Sequence, residues 1–105
     1  WSAAAQVNLG NLSGSVSLNF GNFLSAYATI VGNISFDGTS GLVQGQTGTI
    51  TLIQSGGPWT LSVSATYFET PDGKGISLGD GRNKLTYEVQ ENGKVFLALA
   101  GKALA

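Results

Sequence analysis

The chain has 105 residues, of which only 10% are charged, 6 acidic against 5 basic; an average soluble domain carries about 25%. A net charge of −1 excludes a basic nucleic-acid footprint and argues against a polybasic membrane patch. Polarity comes instead from 16 Gly, 11 Ser, 9 Thr, 7 Asn and 5 Gln. A hydrophobic share of 42% with so little net charge is the reverse of the disordered signature. The length fits one domain with no linker, spanning residues 1–105. There is no Cys, hence no disulfide framework or thiolate metal site, and no His, the usual general base and metal ligand. Met is missing even at position 1, so numbering starts at a processed, truncated or internal residue, in a mature part or C-terminal module of a longer protein. No run approaches the 18 apolar residues of a membrane span, and Trp1 to Ala5 lacks the length and basic flank of an intact signal peptide.

In chain order, the dominant pattern is alternation of apolar and polar residues, the period of a half-buried strand. Gln6 to Leu9 turns Val7 and Leu9 inward. Ser15 to Phe20 does the same with Val16, Leu18 and Phe20. Asn22 to Val31 has some helix-like offsets, but its β-branched end reads as a strand over Ala26 to Val31. Asn33 to Asp37 places Ile34 and Phe36 inward, and Thr49 to Ile53 places Ile50 and Leu52 inward. The longest alternation runs from Trp59 to Phe68, with Trp59, Leu61, Val63, Ala65 and Tyr67 on the core side. Ile76 to Leu78 reads as a short strand, and Lys84 to Gln90 points Leu85, Tyr87 and Val89 inward.

Turn signals separate these runs. Glu91-Asn92-Gly93-Lys94 predicts a two-residue type I′ turn with Glu91 facing Lys94. Gly56-Gly57-Pro58 predicts a hairpin between Thr49–Gln54 and Trp59–Phe68. Asp37-Gly38, Pro71-Asp72-Gly73 and Gly79-Asp80-Gly81 predict further turns. The Gly-Asn, Asn-Leu and Asn-Phe dipeptides recur but are too short to define a repeat. The expectation is all-β: an antiparallel β-sandwich or jelly roll of about eight to ten short strands.

Candidate chemistry is sparse. Asp37, Asp72 and Asp80 each precede Gly, as turns require, while Glu88 and Glu91 sit on or beside a solvated strand face. Nothing resembles a nucleophile elbow or a Ser-x-x-Lys motif. The Gly73–Gly81 stretch has neither the spacing of a phosphate-binding loop nor a following helix. Asp72, Asp80 and Asn83 offer oxygens without the spacing of a calcium loop, so no metal or cofactor is assigned. Trp59 falls on the apolar face, whereas Tyr27, Phe68 and Phe96 fall out of phase with their apolar neighbours. Such aromatics pack under a loop, bury in a subunit interface, or form a platform for a sugar ring. Tyr27, Trp59, Phe68 and Phe96 are therefore the candidate interface or glycan contacts.

One stretch carries a resemblance. It reads Gly32-Asn33-Ile34-Ser35-Phe36, then Gly45-Gln46-Thr47-Gly48-Thr49-Ile50-Thr51-Leu52-Ile53-Gln54-Ser55-Gly56-Gly57. It continues through Pro71-Asp72-Gly73, Ile76-Ser77-Leu78, Lys84-Leu85-Thr86-Tyr87-Glu88-Val89 and Asn92-Gly93-Lys94-Val95. This order of strand and turn residues, over Gly32 to Leu99, resembles a β-rich module of tailed-bacteriophage virion structural proteins. It departs from that pattern at Pro58-Trp59 and at Lys84. The resemblance implies a non-enzymatic part on the virion surface: a fibre tip, spike or capsid decoration. It further implies self-association, with a homotrimer favoured, and contact with other virion proteins. It offers no catalytic residues. The alternative reading is a carbohydrate-binding module that recognises a host-surface glycan.

Overall fold

The structure, a computed structural model, describes residues 7–21, 23, 25–56, 59–70 and 76–104, the last three as backbone only. The described residues form seven strands and no helix. These are β1 (Val7–Asn19), β2 (Ser25–Ser40), β3 (Thr47–Gln54), β4 (Leu61–Val63), β5 (Phe68–Glu69), β6 (Arg82–Val89) and β7 (Val95–Leu104). All belong to one mixed sheet of order β1-β2-β3-β6-β7-β5, with β4 added to β2.

The all-β reading holds, but the pairing differs from an antiparallel sandwich. β1, β2 and β3 are parallel, and β4 is parallel to β2. The chain stacks on itself after 18 to 21 residues between β1 and β2, and after 24 to 27 between β2 and β3 or β4. The arrangement is solenoid-like. β2 serves both halves of a coil: Ser25–Ile30 pairs with β3, and Ile34–Phe36 pairs with β4. Parallel neighbours need a crossover long enough to return the chain to the same end. Here the other half of each coil provides it, so no helix is required. The expected hairpin between Thr49–Gln54 and Trp59–Phe68 is therefore absent; β3 and β4 are successive halves of one coil. Gly57, Pro58, Trp1 to Gln6 and the Pro71-Asp72-Gly73 turn lie outside the described residues.

The alternation of the sequence survives as the inside and outside of this coil. Ala26, Ala28, Ile30, Ile34 and Phe36 of β2 are buried, as are Ile50 and Leu52 of β3. They join Leu18, Phe20, Leu61, Leu85, Leu97 and others in one core cluster. Fully burying each Leu, Ile or Phe side chain among them contributes about 1.5–3 kcal/mol. The Gly-Asn steps gain meaning here. Gly10, Gly21 and Gly32, each followed by Asn, are 11 residues apart, and two glycines outside that dipeptide, Gly45 and Gly56, follow after 13 and 11. They lie at the β1 bulge, the β1–β2 turn, the point where β2 changes partner, and the loops before and after β3. The short dipeptides thus mark the bends of the coil.

Three further expectations change. Asp37-Gly38 is not a turn but a bulge inside β2, between the pairs Val16↔Phe36 and Ser17↔Gly38. The Trp59–Phe68 run is broken after Val63. The backbone N–H groups of Tyr67 and Phe68 both donate to the Ser64 carbonyl, closing a turn that carries the chain from β2's edge to β7's. Tyr67, expected inside, is 39% exposed in consequence. Ile76 to Leu78 forms no strand, although Ile76 is buried.

The β6–β7 hairpin forms, with a corrected register. Val89 pairs with Val95, Tyr87 with Leu97 and Leu85 with Leu99, all inward-facing pairs. A two-residue Asn-Gly turn would have set Val95 opposite Gln90. That one-residue slip places apolar residues against the solvent face. The loop instead takes three residues, Glu91 to Gly93, and is closed by Gln90 N–H donating to the Lys94 carbonyl. Gly93 has φ 83°, the left-handed position of such a loop.

The β1–β2 turn and the end of β2 approach most closely at Gly21 and Gly41. A Cβ on Gly41 would meet Asn19 Oδ1 and would lie 2.5 Å from the Gly21 nitrogen, at φ +64°. Gly45 has φ +87° but open space around it. Gly45→Ala should cost about 1 kcal/mol, the conformational term alone. Gly41→Ala should cost clearly more, because the contact with Gly21 adds to it. Equal losses in urea unfolding would contradict the close approach.

Candidate functional site

The surface is built from the outward half of each alternation. On the main sheet, Ser25, Thr49, Thr86 and Ala98 align across four strands, and Asn8, Tyr27, Thr51 and Lys84 form the next row. Thr49 Oγ1 donates to Ser25 Oγ at 3.1 Å. Thr51, flanked in register by Tyr27 and Lys84, is only 4% exposed. On the other half of the coil, Ser15, Ser35 and Ser62 align in the same way.

Asp37 sits beside this serine row. Its carboxylate accepts hydrogen bonds from Ser15 Oγ at 2.6 Å and from Ser35 Oγ. Those two hydroxyls, Ser15 first, hold its pKa below the ordinary carboxylate value. It is the only charged residue before Glu69; the other 10 of the 11 charges lie at or beyond that position. The coils that begin the chain are therefore almost neutral, and the charge is gathered on the β5–β7 end.

Polar side chains that the alternation does not single out close the corners. Gln46 Nε2 donates to the Phe20 carbonyl at 2.8 Å and the Phe23 carbonyl at 2.9 Å, and lies 3.1 Å from Tyr87 Oη. The Phe20, Phe23 and Tyr87 rings pack around it, with centroids 4.8 to 6.2 Å apart. Burial pushes the Tyr87 hydroxyl pKa up, and the Gln46 bond partly offsets this. Asn83 is fully buried; its amide donates to the Gly79 carbonyl and accepts from the Gly79 N–H. Its side chain is thus committed to the loop, not presented to a cation as the oxygen count allowed. Among the described residues, no three His, Cys, Asp or Glu side chains gather as a metal cluster.

The four candidate aromatics do not converge. Phe68 is 2% exposed with its ring 6.0 Å from Phe36, so it belongs to the core rather than to a contact surface. The turn at Ser64 resets the alternation, so a residue out of phase with Trp59–Tyr67 points inward here. Trp59 is half-buried, and its indole Nε1 donates to the Ser55 carbonyl at 2.7 Å. Its backbone N–H donates to Gln54 Oε1, strapping it across the β3–β4 loop. Tyr27 and Phe96 are half-buried on the outer face. They stand on β2 and β7 with β3 and β6 between them and four residues apart in register, roughly 19 Å apart by strand spacing and rise. Phe96 is paired in register with Glu69 and Glu88.

The remaining feature is β1. Among the described residues, β1 (13 residues) pairs only with β2. Its inward residues Val7, Leu9, Leu12 and Val16 are half-buried where their counterparts in β2 are buried. They line a cavity of about 270 Å³, together with Leu18 and Phe23. No known protein family, curated protein or solved structure matches the chain.

Two measurements test this description. Gln46→Leu removes the donor for two corner carbonyls and should cost about 1–3 kcal/mol. Ser62→Ala, on the exposed serine row, should stay within about 0.5 kcal/mol. A carboxyl titration by NMR should place the Asp37 midpoint below the ordinary value, and Ser15→Ala should raise it. Because the folded pKa is lowered, the serine bonds stabilise the fold above the ordinary carboxylate pKa. They are lost as pH falls through the lowered one. An unshifted midpoint in the parent chain would contradict the pair of bonds.

Proposed function

We propose that this chain is a non-enzymatic structural module of a phage-like particle surface, a fibre tip, spike or capsid decoration. It acts through oligomeric assembly and loop contacts. The observation that carries the reading is the outer edge of β1, unpaired among the described residues. Val7–Asn19 contains no charged residue and stands over a cavity lined mostly by apolar side chains, with Ser17 and Asn19. Soluble proteins ordinarily blunt a free edge with charge, Pro or a cover. A long neutral edge over apolar residues is the kind of surface that another strand completes. The hydroxyl-lined outer rows fit the same reading, because they repel a neighbour weakly. Multivalent display would then turn weak loop contacts into firm attachment. A sugar platform has less support, since Phe68 is core and Tyr27 and Phe96 stand apart.

The test is location and assembly together. Antibodies against the chain should label the surface of tailed-phage particles grown from the same source, in electron micrographs. Light scattering should find more than a monomer at high concentration. A monomer at every concentration that labels no particle and binds no host cell would overturn the proposal.

A further inference from the structure

We propose that Asn92 is a self-modifying site, where the Gly93 backbone nitrogen displaces the side-chain amide and leaves an acid in its place. This stands apart from the assembly reading and does not rest on it. Of the seven Asn, only Asn92 precedes Gly; the others precede Leu9, Leu12, Phe20, Phe23, Ile34 and Lys84. A side chain on the following residue crowds the backbone nitrogen, and glycine has none. Glu91, Asn92 and Gly93 are all exposed, so water and base reach them. Gly93 has open space where a Cβ would stand. The loop also arranges the reacting groups. Asn92 Oδ1 accepts the Lys94 N–H at 3.0 Å, which folds the amide over the Gly93 peptide and polarises its carbonyl. The Gly93 N–H donates to the Gln90 carbonyl at 3.2 Å, a longer bond than the 2.8 Å one from the Gln90 N–H to the Lys94 carbonyl. The nucleophile thus sits on the weaker of these two bonds, and exposed loop bonds open most readily.

The step needs only water. A solvent base takes the Gly93 amide proton, the nitrogen attacks Asn92 Cγ, and an N–Cγ bond forms. The Cγ–Nδ2 bond breaks, and Nδ2 takes a proton from solvent to leave as ammonia. Water then opens the cyclic imide at either carbonyl, giving aspartate or its β-linked isomer, and one negative charge is gained. The place of that charge gives the reaction its consequence. Asn92 Nδ2 donates to Glu69 Oε1 across 3.4 Å, a link from the loop to β5. After the reaction a carboxylate faces a carboxylate there, with Glu91 next in the chain, and like charges so placed repel. β5 rests on a short ladder: its two residues pair as Phe68↔Val95 and Glu69↔Phe96. The Val95 N–H donates to the Tyr67 carbonyl just before them. The modification therefore loosens the strand that carries the buried Phe68.

The full chain, aged in mildly alkaline buffer, should convert Asn92 ahead of every other Asn, read as amide-to-acid products by peptide mapping with mass spectrometry. Asn92→Gln should lose that product, because the longer side chain must close a larger ring. A folded chain that keeps Asn92 intact while the urea-unfolded chain converts it overturns the proposal, since the turn then shields the amide. The consequence is tested with Asn92→Asp, which keeps the acceptor for the Lys94 N–H, suits the same turn, and reverses only the Glu69 contact. Hydrogen exchange at the Val95 amide should then run about two- to fivefold faster than in the parent at neutral pH. Adding Glu69→Gln to that chain should restore the parent rate. An unchanged rate overturns the loosening, and so does a faster rate that Glu69→Gln leaves in place. Both readouts are taken on the chain at low concentration, so neither depends on whether copies associate.

Discussion

The fold depends on β2 holding three partners at once. β1 lies along one of its edges, while β3 and then β4 occupy the other. The exchange happens where the chain bends at Gly32 and Asn33. There the Ser55 N–H donates to the Ile30 carbonyl and the Thr60 N–H donates to Asn33 Oδ1. A Cβ on Gly32 would come within 3.1 Å of the Ser13 Cβ, so the bend is packed directly onto the coil before it. Without that handover, β3 and β4 would have no common template. The inward residues of the two half-coils would then not face one another.

Parallel coils leave corner carbonyls that the strand ladders do not use, and such groups are costly when buried. Amide side chains meet this cost. Gln46 ties the first corner to the second coil and to Tyr87 of the hairpin, Gln54 brackets Trp59, and Asn83 braces the loop before β6. No buried side-chain nitrogen or oxygen is left without a partner among the described residues. The Asn and Gln that replace charge in the composition are thus partly internal scaffolding. The remaining Ser and Thr line the outside in registered rows.

The two ends of the coil differ. The β6–β7 hairpin and short β5 finish one end, where most of the charge is gathered. At the other lies β1, which carries no charged residue and whose inward side chains are less completely buried than those of β2.

The sequence by itself determined the all-β class, because strict alternation admits one reading, and it placed Ile50, Leu52, Leu85, Tyr87 and Val89 inside correctly. It located the β6–β7 hairpin from Asn92-Gly93, and it set Tyr27 and Phe96, together with Phe68, out of phase with their apolar neighbours. What it did not carry was which strands are neighbours. Period two fixes the face of each residue but not its partner, and a parallel coil and an antiparallel meander share that period. The hairpin register, the burial of Phe68, the exposure of Tyr67 and the corner role of Gln46 were all decided by tertiary structure. Each depends on matching inward residues, or satisfying backbone groups, between segments tens of residues apart. The low charge was legible at once; that the nearly neutral stretch before Glu69 makes strands β1 to β4, with the charged strands β5 to β7 beyond, became visible only once the strands were stacked.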